Sequence, residues 1–315
     1  MRFAWVGFHA EGLPALEAML DARAPIKAVL TLEPALAAQR SAHGDYDSLC
    51  RRFDVPLLYI AHINEPRAHH LLTRLAPDVV FVIGWHQVAR RPTLDLARVG
   101  MIGAHAGLLP HNRGSAPINW ALIRGEQETG NTLLWLADGV NAGDIIDQTV
   151  IPISPYDTCA TLYARVAESN REMLLRLLPR LLAGERPGRP QPPSAEPLLP
   201  RRRPADGTID WSRPAPAVYD FVRALTRPYP GAFSCLDGRR WRIWQAALPD
   251  GANGSREPGS ILGPSVSPVD DACGLLVACG EGSVILLEVE SPDGEVLRGR
   301  ALSEQTWAGQ RWNDG

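Results

Sequence analysis

Residues 101–147 read MIGAHAGLLPHNRGSAPINWALIRGEQETGNTLLWLADGVNAGDIID, and this stretch determines the fold that we expect for the chain. A first apolar run predicts a strand that ends at His105, and residues 132–136 predict a second strand. A turn-rich loop follows each run, at 109–117 and at 137–144. Because α/β proteins place their chemistry where loops leave neighbouring strand ends at one edge of a parallel sheet, we expect a site beside His105.

Upstream of this stretch, short apolar runs alternate with segments of helical periodicity. The expected strands cover 2–8, 26–32, 55–60 and 77–83, and the expected helices cover 12–20, 46–52 and 64–75. Asn64 is placed to cap the last of these helices, and residues 33–48 have the composition of a polar loop. The alternation is typical of the α/β class with a Rossmann-like, doubly wound parallel sheet.

Downstream of the stretch, the pattern changes after one more strand (145–153) and a long amphipathic helix (157–182). Residues 184–204 are rich in Pro, Arg and Gly, which is typical of a linker. Short strands broken by turns follow at 241–246, 274–279 and 283–290. This pattern favours a smaller C-terminal OB-like β domain. We therefore expect a first domain over 1–200 and a second over 201–315.

The composition excludes several classes of protein. With 315 residues, 45% of them hydrophobic, the chain is long enough for two domains with their own cores. The net charge is −3, and residues 201–315 contain 13 arginines against 15 acidic residues, which argues against nucleic-acid binding. Five cysteines lack the spacing of metal ligands, so we expect no metal. No signal sequence or bilayer-length apolar run is visible, so we expect a cytoplasmic protein without membrane contact.

Several motifs of the opening stretch occur together with fixed spacing. They are His105, Leu108-Leu109-Pro110, Arg113-Gly114-x-Ala116-Pro117, Gly125-Glu126-x-x-Thr129-Gly130-x-Thr132-Leu133 and Gly143-Asp144-Ile145. On these residues the chain resembles the 10-formyltetrahydrofolate-dependent formyltransferases, which include methionyl-tRNA formyltransferase, the amino-sugar formyltransferases and the glycinamide ribonucleotide enzyme. The resemblance continues to both ends of the chain. It implies transfer of a formyl group from 10-formyltetrahydrofolate to an amine.

The resemblance identifies three catalytic positions, two of which differ in this chain. It implies that His105 is the base or proton relay, while Gly103 stands where the family has an oxyanion-binding Asn and Asn141 where it has an Asp. Loss of one oxyanion donor costs on the order of 3 kcal/mol. Asn141 can hydrogen-bond His105, but it cannot favour the imidazolium as a carboxylate does, and it can select the wrong tautomer. We expect a pocket that still binds its ligands but whose reaction is weakened or altered.

The resemblance also implies which residues bind donor and acceptor. The pterin of the donor is expected between two segments, Gly84, Trp85, His86, Gln87 and Val88 on one side and Asp138, Gly139, Val140 and Ala142 on the other. Trp85 is either a slot wall or a core residue, and His86 is either a wall or a substitute acid or base. Pro110, Arg113 and Gly114 are expected near the acceptor, where Arg113 either fixes its loop or pairs with an acidic substrate group.

The expected acceptor is an amine of a small molecule, such as an amino sugar or a secondary-metabolite precursor. Two alternatives stay open. One is the same fold with a different acyl donor, such as acyl-CoA or a carbamoyl donor, or with other one-carbon chemistry. The other is a folate-binding pseudoenzyme. The sequence leaves the oligomeric state open, with a homodimer as one option.

Overall fold

A computed structural model of the chain describes residues 1–250 and 256–313. The described residues form two compact units. The first unit comprises Met1–Pro117, Glu128–Ile153 and Thr161–Pro200, and the second comprises Ile118–Gln127, Ser154–Ala160 and the described residues from Arg201 onward. Each unit is therefore assembled from segments that are not consecutive in the sequence.

The first unit is built on a seven-stranded sheet formed by the described residues. Its strands are β1 (Phe3–Val6), β2 (Ile26–Leu32), β3 (Leu57–Ile60), β4 (Val79–Val82), β5 (Gly100–His105), β6 (Glu128–Trp135) and β7 (Ile145–Pro152), in the order β3-β2-β1-β4-β5-β6-β7. The strands from β3 to β5 are parallel, whereas β6 pairs antiparallel with both β5 and β7. The α/β class and the Rossmann-like arrangement are confirmed, and the sheet is mixed rather than wholly parallel.

The direction of β6 corrects the expectation of two strand ends at the same edge. Ile102 of β5 pairs with Trp135 of β6, and His105 pairs with Thr132. The carboxyl end of β6 thus lies beside the first half of β5, and the loop after β6 has to fold back before it reaches His105. An apolar run fits a parallel or an antiparallel neighbour equally well, so the sequence pattern does not define the direction.

Helices cover both faces of this sheet, and each face has its own hydrophobic cluster. The helices of this unit are a 3-10 turn (Ala10–Gly12), α1 (Leu13–Asp21), α2 (Pro34–Ala37), α3 (Tyr46–Arg52), α4 (Pro66–Leu75), α5 (Arg91–Leu94) and most of α7 (Cys159–Leu182), whereas α6 (Pro117–Ile123) belongs to the second unit from Ile118 onward. Phe3 and Trp5 of β1 pack with residues of α1, α3 and α7, whereas Ala4 and Val6 pack with residues of α4. Because side chains alternate along a strand, β1 is buried on both faces.

Two local expectations are wrong. Asn64 does not cap α4, because the N-cap position is Glu65 and Pro66 begins the helix. Residues 33–48 are not only loop, because Pro34 begins α2. Proline is favoured in the first helical turn, where its missing N–H would have no partner. In both cases the proline decides where the helix begins.

The second unit contains an antiparallel sheet. Its strands are β8 (Ala232–Leu236), β9 (Arg239–Ala247), β10 (Ile261–Val266), β11 (Cys273–Ala278), β12 (Ser283–Glu290) and β13 (Val296–Arg298), with a 3-10 turn (Pro204–Gly207) and helices α8 (Ala215–Leu225) and α9 (Arg300–Ser303). A separate C-terminal β domain is thereby confirmed, while its closure into an OB-like barrel stays a prediction. Within the residues that the structure describes, no helix is long and apolar enough to cross a membrane.

Candidate active site

His105 is the last residue of β5, and its ring is held by the two loops of the motif stretch. The residue is buried, with 5% of its surface exposed. Its Nε2 lies 2.8 Å from the carbonyl oxygen of Asn112, and its Nδ1 lies 3.1 Å from Nδ2 of Asn141. The structure thus brings His105 and Asn141 together, and both ring nitrogens have partners within the protein.

The amide of Asn141 fixes the position of the proton on this ring. Its Oδ1 accepts a hydrogen bond of 2.9 Å from the backbone N–H of Gly114, so Nδ2 is the atom that faces the ring. Nδ2 donates to Nδ1 of His105, which is therefore unprotonated. The proton lies on Nε2 and is donated to the carbonyl of Asn112. From this chain of hydrogen bonds we assign the neutral Nε2–H tautomer.

Burial keeps the His105 ring neutral. Desolvation is the largest cause and lowers the pKa of His105 to about 4, with the hydrogen bond to Asn112 opposing it and the charge of Arg113 adding to it. A carboxylate at position 141 would stabilise the protonated ring, but the amide of Asn141 carries no charge. At pH 7 the ring is therefore a hydrogen-bond donor at Nε2 and has no free basic nitrogen.

The loop after β6 reaches the ring through two left-handed backbone conformations. Asn141 has a φ of +50°, a region that Asn tolerates better than most residues. Gly143 has a φ of +112°, and a Cβ added there would lie 2.0 Å from the carbonyl oxygen of Trp135. Position 143 therefore requires glycine, which is the physical reason for the Gly-Asp pair of the motif.

Gly103 lies in β5 two residues before the histidine, and the space beside it is filled. A Cβ added to Gly103 would lie 2.6 Å from Cδ2 of Leu136. Leu136 is half-buried and packs against apolar side chains of the sheet. An apolar side chain from the end of β6 thus occupies the place where a polar side chain at position 103 would project. Sequence reasoning missed Leu136, because nothing in the sequence pattern pairs the two positions.

Arg113 and Pro110 hold the loop that follows β5. The guanidinium of Arg113 donates to the carbonyl of Val140, with Nη2 at 2.7 Å. Of the two roles expected for Arg113, loop fixation is therefore the one that this geometry supports. The bond between Leu109 and Pro110 is cis, and Leu109 is buried with its N–H donated to Thr132 Oγ1 at 3.1 Å. A direct role of either residue in substrate binding stays a prediction.

Residues 186–199, which we call the strap, run along this site in an ordered path although the sequence predicts a linker there. The Gln191 side chain donates from Nε2 to the carbonyls of Asn141 and Gly143, at 3.1 Å each. Arg189 exchanges two backbone hydrogen bonds with Ile145, of 2.8 and 2.9 Å. The strap therefore fixes the backbone of the loop that carries Asn141.

The far end of the strap is bonded to the two residues on either side of Gly114. Leu199 donates its N–H to the carbonyl of Arg113 at 2.7 Å and accepts from the N–H of Ser115 at 3.0 Å. Gly114 has a φ of +121°, and a Cβ there would lie 2.4 Å from the backbone nitrogen of Leu199. The Arg-Gly pair of the motif is thus explained by the close approach of the strap. Neither Gln191 nor Leu199 carries a sequence signal that predicts these contacts.

The segment Gly84–Val88, predicted to line the pterin slot, has contacts that are distinct from those of the His105 ring. Gln87 bonds to the backbone of Ala61 and Ile63, and Gly84 has a φ of +66°. Trp85 is half-buried against the cluster on the α4 face, and its Nε1 is enclosed without a hydrogen-bond partner. The described contacts of Trp85 therefore fit the core role.

The remaining residues of the predicted slot differ in exposure. His86 is exposed, with its ring centroid 5.1 Å from that of Phe8, and Val88 is 49% exposed. Asp138 and Gly139 are exposed, whereas Val140 and Ala142 are half-buried.

Within the residues that the structure describes, no group of three or more His, Cys, Asp or Glu side chains has the arrangement of a metal site.

Comparison with known families assigns the family of this chain. The sequence model named Formyl transferase matches residues 33–178, and the model named Formyl transferase, C-terminal domain matches residues 202–306. Together the two matches cover most of the chain, first most strands of the seven-stranded sheet and then the antiparallel sheet. The chain belongs to the formyl transferase family.

Solved structures with the same fold extend this comparison. HypX from Aquifex aeolicus in complex with tetrahydrofolic acid is 18% identical with a TM-score of 0.65, over 95% of this chain and 46% of that chain. This chain thus spans about half the length of HypX. WlaRD, a sugar 3N-formyl transferase solved with dTDP and 5-N-formyl-THF, is 13% identical with a TM-score of 0.65, over 91% and 97% of the two chains.

An N-formyltransferase from Helicobacter canadensis, in complex with folinic acid and dTDP-3-aminofucose, is 14% identical with a TM-score of 0.65. The match covers 91% of this chain and 98% of that chain. At such identities the structural matches show a shared fold, and the reaction of this chain has to be argued from its own residues.

Proposed function

We propose that the chain is a folate-dependent N-formyltransferase that moves the formyl group of 10-formyltetrahydrofolate to a nitrogen of a small molecule. The observation that carries the proposal is the hydrogen-bond chain from Gly114 through Asn141 and His105 to Asn112, held inside a formyl transferase fold. Neighbours with folates and a sugar nucleotide in their structures support this choice of donor and of a small acceptor.

The donor is proposed to lie between the segment Gly84–Val88 and the loop 138–142. The exposed residues Asp138 and Gly139 offer backbone polar groups that a pterin edge can engage. The carbonyls of Val140 and Asn141 are less suited, because Arg113 and Gln191 already bond to them. In this arrangement the slot offers an indole face and a short stretch of free backbone.

A second candidate, a folate-binding protein without turnover, is favoured by two observations. Both nitrogens of His105 are bonded within the protein, and Leu136 fills the place of a polar donor at Gly103. A transferase has to release the Nε2–H from the Asn112 carbonyl when substrate enters, whereas a pure binding protein does not. The two candidates therefore differ in whether the ring is needed after folate is bound.

Calorimetry followed by a product assay separates these candidates. The protein is titrated with 5-formyltetrahydrofolate, and is then incubated with 10-formyltetrahydrofolate and a panel of small amines, with mass spectrometry of the products. A transferase binds the folate and loses turnover in His105→Ala, whereas a binding protein shows no turnover and the same affinity in both. His70→Ala, on the exposed side of α4, is the matched control and should change neither. Absence of folate binding would contradict both candidates.

The domain division is also part of the proposal. We propose that residues 1–200 carry the transfer reaction and that 201–315 form the C-terminal domain, in agreement with family matches at 33–178 and 202–306. The cytoplasmic location and a homodimeric state stay predictions from the sequence.

A further inference from the structure

The acceptor of a formyl group must present an unprotonated nitrogen to the formyl carbon. An alkylamine such as the lysine side chain has a pKa of about 10.4, so at pH 7 only about one molecule in 2,500 is unprotonated. Enzymes that use such amines therefore need a positioned base that removes the extra proton. Whether this site has one can be read from the groups around His105.

The groups around the ring do not include a base. Nδ1 of His105 accepts from the Asn141 amide and Nε2 donates to the carbonyl of Asn112, so neither nitrogen is free to take a proton. Within the described residues, no carboxylate forms a hydrogen bond or ion pair with this ring. Arg113 is the charged side chain whose field acts on it.

Two carboxylates of the neighbouring segments are already paired with basic side chains. Glu196 of the strap pairs with His111 on the loop after β5, and both side chains are exposed. Asp144 at the end of the loop after β6 lies 3.7 Å from the guanidinium of Arg186. Asp138, on the same loop as Asn141, is exposed and has no hydrogen bond or ion pair with the ring within the described residues. None of these three carboxylates is therefore bonded to His105 in the way that a carboxylate at position 141 would be.

We propose that the acceptor is a nitrogen nucleophile that carries no charge at neutral pH, of the N-hydroxyamine or hydrazine class, and that His105 acts on the formyl oxygen as a neutral hydrogen-bond donor. This inference rests on the proposed formyl transfer. It follows from geometry, because the Nε2–H is already aimed at a carbonyl oxygen, that of Asn112, at 2.8 Å. The formyl oxygen of the donor replaces that oxygen in the reacting complex.

The chemistry balances without a base on the protein. The lone pair of the neutral nitrogen attacks the formyl carbon, and the C=O electrons move to the oxygen, which accepts the hydrogen bond from Nε2 of His105. As the carbonyl re-forms, the bond from carbon to N10 of the folate breaks, and the proton of the attacking nitrogen passes to N10. The products are an N-formyl compound and tetrahydrofolate, and His105 keeps its proton throughout. Triosephosphate isomerase uses a neutral imidazole as an electrophile in the same sense.

The first test compares two acceptors of equal size. Hydroxylamine is the uncharged probe and methylamine the protonated one, each supplied with 10-formyltetrahydrofolate and the wild-type protein from pH 7 to 9, with the reaction without protein subtracted. With hydroxylamine we expect a rate that stays flat over this range. With methylamine we expect a rate at pH 7 that is at least about 100-fold lower than the hydroxylamine rate. The methylamine rate should rise about tenfold per pH unit. Equal, pH-independent rates with both would overturn the inference and leave formyl transfer intact.

The second test separates a donor at position 105 from a base. His105→Gln retains an N–H donor but no basic group, and should keep at least about a tenth of the hydroxylamine rate. His105→Ala should lose about 100-fold or more, the usual effect of removing an oxyanion donor. Equal loss in both variants, with folate binding intact in both, would show that His105 does not act as a donor.

The third test is a substitution that should increase the rate with methylamine. Asn141→Asp places a carboxylate against the His105 ring, and the ring can then accept a proton. The methylamine rate at pH 7 should therefore rise, and the dependence of this rate on pH should weaken. An unchanged methylamine rate in a variant that still binds folate would count against the inference. If the wild-type protein binds no folate and forms no product from either amine, the proposed function itself fails, which is a different result from a lack of preference between the two.

Discussion

Asn141 determines the tautomer of the His105 ring. Its backbone is left-handed, with a φ of +50°, and its amide is held by the N–H of Gly114 so that the NH2 group faces His105. An amide can donate to Nδ1 where a carboxylate can only accept. One atom at position 141 therefore decides on which nitrogen of His105 the proton lies.

The tautomer of His105 is a testable consequence. We expect nitrogen NMR of the labelled protein to show a protonated Nε2 and an unprotonated Nδ1 at pH 7. The signals should not change between pH 8 and pH 5, because burial lowers the pKa of His105 to about 4. In Asn141→Asp the pKa of His105 should rise, and the ring should titrate at higher pH. A wild-type ring that titrates near pH 6.5 would contradict the assignment.

The pairing of Gly103 with Leu136 gives a second prediction at this scale. Gly103→Asn should lower the free energy of unfolding by about 1–3 kcal/mol, because the new Cβ would lie 2.6 Å from Leu136 Cδ2. The double variant with Leu136→Ala should recover part of this loss. A double-mutant cycle by urea unfolding measures the coupling, with Leu136→Ala alone as the control. Additive effects of the two substitutions would show that the side chains do not compete for one space.

At the scale of elements, the strap and the loop after β6 depend on each other. Gln191 bonds to the carbonyls of Asn141 and Gly143, and Leu199 lies against Gly114. A segment with the Pro and Arg content of a linker thus supports the two loops that hold His105. Its order comes from backbone hydrogen bonds to other segments, and such bonds are independent of composition.

Gly114→Ala should release the strap. The added Cβ would lie 2.4 Å from the nitrogen of Leu199, so the strap has to move away. We expect faster hydrogen exchange at Leu199 and a loss of formyl transfer of at least about tenfold, since misplaced groups are costly in active sites. Gly184→Ala is the matched control, because Gly184 also has a positive φ, of +84°, but no atom within 4 Å of the new Cβ. Equal effects of both substitutions would point to backbone strain alone.

Sequence pattern was sufficient for the elements but not for their directions. The motif positions place His105 at the end of one strand and Asn141 in the loop after the next strand, because glycines and prolines mark the turns around them. The direction of β6 was not predictable, since an apolar run has no intrinsic direction. Leu136 and Gln191 were missed for a related reason: their contacts join distant segments, and neither residue type signals a partner.

At the scale of the whole molecule, the titration of His105 makes the free energy of unfolding depend on pH. Its folded pKa of about 4 lies below the unfolded value of 6.5, so the unfolded chain binds the proton first as the pH falls. The stabilisation is complete above pH 6.5 and is lost between about pH 6.5 and pH 4, by on the order of 3 kcal/mol. Urea unfolding at pH 7, 5 and 4, monitored by hydrogen exchange of the backbone amides of β4, should show this loss. His105→Gln should lack this part of the slope; an identical slope would contradict the linkage.

The division of the chain into units also limits where the chain can be divided into fragments that fold. The second unit includes Asn119, which donates to the carbonyl of Ala224 at 2.6 Å, and Cys159, whose thiol lies 3.3 Å from the carbonyl of Thr226. A fragment that starts at residue 201 lacks both partners, and so loses the hydrogen bond to Ala224 and the thiol contact with Thr226. Recombination at that point would transfer an incomplete fold, so natural exchange between relatives is expected to pass on both parts in one piece.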